Sequence, residues 1–310
     1  MCEFPEFETL CFKNKKTHKK RAENSMSLTN ESVAVVTGAA SGIGRALAVR
    51  LAGENVAAIA ISDVDGKRLD ETAQMIEAAG GRVSTHIVNV ADYSEMENFA
   101  RSVIERHGRA THIVNNAGVS LFGDVEEVSF EDIEWLMSIN FWGVVYGTKL
   151  FLPILREQKS AHIINVSSVF GFIAPPGNAA YAASKFAVRG FTEALRHELA
   201  GSNVAVSLVH PGGIRTNIAN NGKLGASAGE EERRKTVNMF NEHLTPTLPE
   251  NAADVIVRGI KRREPRILIG ADARQISFFS RLFPRSYLKV MDFLSGGKLL
   301  KIRKNNKKIV

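Results

Sequence analysis

From residue 32 onward the chain alternates short apolar, β-branched runs with longer segments whose apolar residues recur every three or four positions. The short runs at residues 33–37, 56–61, 83–88, 111–115, 162–166, 204–209 and 266–269 read as strands. Residues 43–52, 67–79, 94–107, 130–155, 179–200 and 251–261 lie between them and have helical length and period. The strands are nearly unbroken in apolar character, as strands covered on both faces are. This alternation predicts an α/β fold: a doubly wound, seven-stranded parallel sheet with helices on both faces and a switch point between strands one and four. Ligands of such a sheet sit beyond the carboxyl ends of its strands. Residues 217–250, glycine-rich and then strongly charged, interrupt the rhythm and read as a mobile lid.

Composition narrows the chemistry. Of 310 residues, 44% are hydrophobic and 24% charged, the balance of an ordinary globular domain. Both cysteines, Cys2 and Cys11, precede the patterned region, and no histidines show ligand spacing, so neither a thiol nucleophile nor a metal site is expected. The net charge of +7 belongs to the ends: residues 1–25 carry +2, residues 281–310 carry +8, and the body between them is left at −3. A slightly acidic body is no nucleic-acid groove. Without an apolar leader or a run of spanning length, the chain reads as cytoplasmic.

The first strand runs into Thr37-Gly38-Ala39-Ala40-Ser41-Gly42-Ile43-Gly44 and then a helix. Glycines let the backbone turn tightly, and free amides at a helix start hold a pyrophosphate, so a dinucleotide is expected at Gly38, Ser41, Gly42, Ile43 and Gly44. Strand two ends at Asp63, whose carboxylate can accept from adenosine ribose hydroxyls and would repel a 2′-phosphate. NAD is therefore the expected cofactor, with NADP the alternative. Asp63 has a blander reading as a helix cap, for which Asp65 is better placed.

Tyr181 and Lys185 stand four positions apart, on one helix face, 13 residues beyond Ser168 at the end of strand five. The spacing alone is weak evidence; its location at the sheet's carboxyl end gives it weight. An ammonium about 4 Å from a phenol is worth ~4 kcal/mol at an effective dielectric near 20, enough to bring tyrosine towards use as an acid/base.

These residues, with Asn115-Asn116-Ala117-Gly118, Ser138-Ile139-Asn140, and Pro211-Gly212 followed by Thr216, resemble the pattern of the short-chain dehydrogenase/reductase family, single-domain branch, over residues 32–270. The resemblance implies a Rossmann-type catalytic domain between a basic N-terminal extension (1–31) and an amphipathic, basic C-terminal one (271–310). It implies Tyr181 as acid/base, Lys185 on the nicotinamide ribose, Ser168 on the substrate oxygen, and Asn140 holding a water behind Lys185. By the same resemblance Asn116 and Gly118 line the cofactor cleft, Asn89 and Val90 flank the adenine, and Pro211, Gly212 and Thr216 shape the carboxamide site. It also implies a homo-oligomer through two long central helices. Two departures stand out: Asn89 replaces a common aspartate, and one residue is added around Gly53–Asn55, which bears on the register of Asp63.

The neighbours of the reactive set, Leu121, Phe122, Phe170, Phe172, Ile173, Pro175 and Pro176, with Ile214 and Ile218 opposite, suggest an apolar alcohol or ketone as substrate. A blander account makes several of them core. After residue 271, aromatic and aliphatic residues recur at three- and four-residue intervals beside arginines, broken at Pro284. This stretch fits either a peripheral contact with an anionic membrane or packing on the protein's own body. The expected activity is hydride transfer between NAD(H) and an apolar secondary alcohol or ketone. The alternatives are an NADPH-dependent 3-oxoacyl reductase and a non-enzymatic dinucleotide-binding scaffold at membranes.

Overall fold

A computed structural model describes residues 28–216, 218, 222–225 and 246–294. The chain runs β1 (Val33–Thr37), α1 (Gly42–Ala52), β2 (Ala58–Asp63), α2 (Gly66–Ala78), β3 (Val83–Ile87), α3 (Tyr93–His107), β4 (His112–Asn115), β5 (Leu121–Phe122) and α4 (Phe130–Met137). It continues through α5 (Gly143–Arg156), β6 (Ala161–Val166), α6 (Ala179–Glu198), β7 (Val204–Pro211), β8 (Lys223–Leu224), α7 (Pro249–Arg262), β9 (Arg266–Ile269), α8 (Ala271–Leu282) and α9 (Tyr287–Leu294).

Seven strands form one parallel sheet in the order β3-β2-β1-β4-β6-β7-β9, the doubly wound arrangement, with its switch between β1 and β4. Burial follows position. The interior strands β1 and β6 are buried at every residue, whereas β3 and β9, at the edges, alternate. One face is covered by α1, α2 and α7 through Leu47, Leu51, Ile76, Ile256 and Ile260. The other is covered by α3, α5 and α6 through Met96, Phe99, Phe151, Leu155 and Leu195.

Three local readings change. Strand two lies at Ala58–Asp63, two residues later than its apolar run, because the preceding turn takes up Asn55 in a left-handed conformation (φ 56°). The added residue there is thereby absorbed, and Thr37 pairs with Ser62 in register. The expected helix over residues 130–155 is two helices joined by a π turn at Ser138–Trp142, which a 3.6-residue period cannot reveal. The expected lid over 217–250 lies mostly outside the described residues; within it, β8 pairs with β5 in a small second sheet, and Thr247 bridges to Ile214.

Candidate active site

A cleft of about 1220 Å³ opens at the carboxyl ends of the strands. Every site residue expected from the sequence lines it except Gly44 and Asn140, which lie buried behind its wall.

At one end the glycine turn is stitched to β4. The Thr37 hydroxyl accepts the amides of Asn116 (3.0 Å) and Ala117 (3.1 Å), and Asn116 Nδ2 donates to the carbonyls of Thr37 (2.9 Å) and Gly38 (3.1 Å). Gly38 has φ +68°, and a Cβ on Gly44 would sit 2.1 Å from the Gly38 oxygen, so Gly44 serves close packing under the turn. Asp65, Asp92 and Ser129 cap α2, α3 and α4 with their side chains. Ser41, by contrast, makes no side-chain cap to α1, whose first turn also lacks an acid. A helix start left open beside a cleft accommodates an anion, and these residues fit a pyrophosphate.

Asp63 Oδ2 accepts the Ala40 amide at 2.9 Å and its Oδ1 the Asp65 amide at 3.2 Å, which holds the carboxylate at the cleft beside the turn. The capping role falls to Asp65, which accepts the Arg68 amide. Arg68 also lines the cleft, 3.4 Å from Asp65 through its Nε. Residue order does not mark this cation, which lies within α2 beyond the end of strand two. Asn89 Oδ1 accepts the Ala91 amide, and its NH₂ donors are left to face an adenine along with the second lone pair of that oxygen; Val90 is buried against Gly143.

At the other end Ser168 follows β6 and leads into the short turn Val169–Gly171, its hydroxyl accepting the Phe170 amide at 3.1 Å and hydrogen-bonding Tyr181. The Phe170 ring meets Tyr181 edge-on at 5.8 Å. Lys185, only 3% exposed, donates from Nζ to the Val166 carbonyl at 3.3 Å, and Nζ lies 5.8 Å from the centroid of the Tyr181 ring. Burial pushes Tyr181 up to about 12, outweighing the Ser168 hydrogen bond that pulls it down, and burial pushes Lys185 down to about 8. Among the protein's own groups, desolvation outweighs the stabilisation of the phenolate. Desolvation disfavours both charges, and the ammonium is turned to a carbonyl.

Asn140 sits in the π turn with no exposed surface. It clamps Val119 by accepting its amide (2.8 Å) and donating to its carbonyl (3.0 Å), and it also donates to Ser184 Oγ (3.1 Å). Its amide therefore braces the loop after β4. Gly118 fills the space between, where a Cβ would be 3.4 Å from Lys185 Nζ. His210, before Pro211, is held in place by Nδ1, which donates to the Ser168 carbonyl at 2.7 Å, and by stacking on Phe172 at 3.9 Å, while its buried Nε2 has no hydrogen-bond partner among the described residues.

The apolar wall differs from expectation in two ways. Leu121 and Phe172 are core, while Phe122, Phe170, Ile173, Pro175, Pro176, Ile214 and Ile218 line the cleft. Trp135, Ile276, Phe279, Leu288 and Met291 join them. The last four come from α8 and α9, which pack on Val169, Phe172 and Ile173 and are tied down where Tyr287 accepts the Ala174 amide at 3.1 Å. Asp272 at the start of α8 accepts the Gly213 amide at 2.7 Å, and its carboxylate fills the space over Gly212. No local signal marks these residues, since they reach the cleft from beyond the last strand.

The family model for short chain dehydrogenase matches residues 32–225. The Mycobacterium tuberculosis oxidoreductase SadH is 41% identical over 268 residues, 86% of this chain and 96% of that protein. The 3-oxoacyl-[acyl-carrier-protein] reductase FabG of Thermotoga maritima is 36% identical over 184 residues, 59% of this chain and 74% of its own. Among solved structures, a short chain dehydrogenase/reductase from Burkholderia phymatum in complex with NAD superimposes with a TM-score of 0.72 at 32% identity, covering 78% of this chain and 90% of that one. With the sheet order, the glycine turn and the Ser168, Tyr181 and Lys185 set already in place, the chain belongs to the short-chain dehydrogenase/reductase family of oxidoreductases.

Proposed function

We propose that this protein is an NAD-dependent dehydrogenase/reductase interconverting an apolar secondary alcohol and its ketone. The observation that carries the reading is one continuous cleft with an uncapped helix start and Asp63 at one end and Tyr181, Ser168 and Lys185 at the other, walled by aromatic and aliphatic groups. The chemistry that NAD would supply here is a hydride acceptor for alcohol oxidation and, in its reduced form, a hydride donor for ketone reduction. Gly38, Ser41, Gly42 and Ile43 would hold its pyrophosphate, Asp63 its adenosine ribose, Lys185 its nicotinamide ribose, and Pro211, Gly212 and Thr216 its carboxamide.

Ser168 Oγ orients the substrate oxygen, and the Tyr181 oxygen accepts that oxygen's proton in oxidation and donates it in reduction. A positively charged oxidised nicotinamide held by these residues would oppose the desolvation that pushes Tyr181 up to about 12. Lys185, made a stronger acid by burial, gives up or regains a proton readily beside the Tyr181 ring. Exposed Phe130, Trp142 and Phe186, on the two long helical segments, support a homo-oligomer.

A second reading, an NADPH-dependent 3-oxoacyl reductase, draws on the likeness to FabG and on Arg68, the cation beside Asp63 that a 2′-phosphate would require. An assay of apolar secondary alcohols with each oxidised cofactor, followed by absorbance of reduced nicotinamide, separates the two. NAD reduction at higher kcat/KM is expected. Preference for NADP defeats the Asp63 argument, and no turnover with either cofactor defeats the redox reading.

A further inference from the structure

The helix pair α8 and α9 has two apolar faces. The inner one, with Ile276, Phe279 and Met291, walls the cleft. On the outer side α8 exposes Phe278 (60%) and Leu282 (57%), and α9 separately exposes Phe293 (83%). On α8 the spacing Arg274, Phe278, Arg281, Leu282 forms a single outer stripe around a shallow hollow. No acidic side chain belongs to that stripe, and residues 281–310 carry nine Lys/Arg against one Asp while the body is slightly acidic.

We propose that this outer face docks on an anionic phospholipid bilayer. Aromatic and aliphatic groups flanked by arginines suit the boundary between acyl chains and headgroups, where the ring enters the apolar layer and the guanidinium meets phosphate. The basic residues that follow α9 add attraction to an anionic surface and would not favour a neutral one. No helix among the described residues is long and apolar enough to cross a membrane, so the contact is peripheral. Because the same two helices wall the cleft, docking sets the cleft's apolar side beside the lipid phase from which an apolar substrate partitions.

The test uses the full chain without cofactor or substrate, co-sedimented with vesicles of phosphatidylcholine alone or with phosphatidylglycerol added, so its outcome is independent of the redox reading. Binding to the anionic vesicles only is expected, weakening with salt and by about fivefold for each cation removed, as in Arg281→Gln. The double variant Phe278→Asp, Leu282→Asp should lose vesicle binding while keeping the parent chain's thermal unfolding midpoint. Equal binding to neutral vesicles, no binding to either, or undiminished binding by the double variant overturns the proposal. So does a change in solution mass of the double variant, which would assign this face to a second copy of the chain.

Discussion

The two ends of the sheet both bury titratable side chains, yet they differ in what surrounds them. At the carboxyl end Tyr181 and Lys185 face an open cleft, and burial drives the one up to about 12 and the other down to about 8. At the amino end His112 and His162 face each other across β4 and β6, with ring centroids 6.2 Å apart, closed off from any cleft. His112 Nδ1 lies 2.8 Å from the Thr111 hydroxyl and His162 Nε2 2.8 Å from that of Ser207. Burial pushes His112 down to about 4 and His162 well below its ordinary value, and the neighbouring Arg263 charge adds to both shifts. A perturbed ionisation is therefore no mark of function in this molecule. Access is the difference: one pair lines a cleft that a ligand can enter, the other hydrogen-bonds only the Thr111 and Ser207 hydroxyls among the described residues and is kept neutral by burial.

The strongest test of that contrast is at the open end. Tyr181→Phe removes one oxygen from the cleft and should lower turnover by roughly 10³-fold or more while cofactor binding, followed by fluorescence titration, stays measurable. Retained turnover would return Tyr181 to the status of the buried histidines.

The closed end should speak through stability. The folded state keeps His112 and His162 neutral, whereas the unfolded chain takes up protons below about pH 6.5, so stability falls as pH drops from there, and the share due to His112 levels off below about 4. A group moved from 6.5 to about 4 contributes on the order of 3 kcal/mol over that range. Urea unfolding of His112→Gln should show a shallower acid loss than the parent chain. An identical slope would mean that His162, His210 or His86, also depressed by burial, carry the effect.

The smallest effect distinguishes two neighbouring helix starts at the open end. Asp65→Ala removes the cap of α2 and should cost about 1 kcal/mol in thermal or urea unfolding. Ser41→Ala removes no cap from α1 and should leave stability nearly unchanged while weakening cofactor binding. Equal losses for the two would remove the distinction between a capped helix and one left open for an anion.

Much of this was legible in residue order. Unbroken apolar runs separated by helical periods report which segments are buried on two faces, and handedness leaves few ways to wind them, so the strand order and the position of the cleft followed. The glycine turn, Asp63 and the Tyr181/Lys185 pair were legible because each is a local spacing attached to a strand end. Other features depend on distances between segments remote in sequence. The π turn that seats Asn140, the division of Phe170 and Phe172 between cleft and core, and the approach of α8 and α9 to Val169 and Ile173 have no local pattern. The direction of the Tyr181 shift belongs with them, since it rests on a balance between desolvation and the Ser168 hydrogen bond. Periodicity records what each residue does for its own element; solvent exclusion and charge balance are properties of the surroundings, and only the folded chain assembles those.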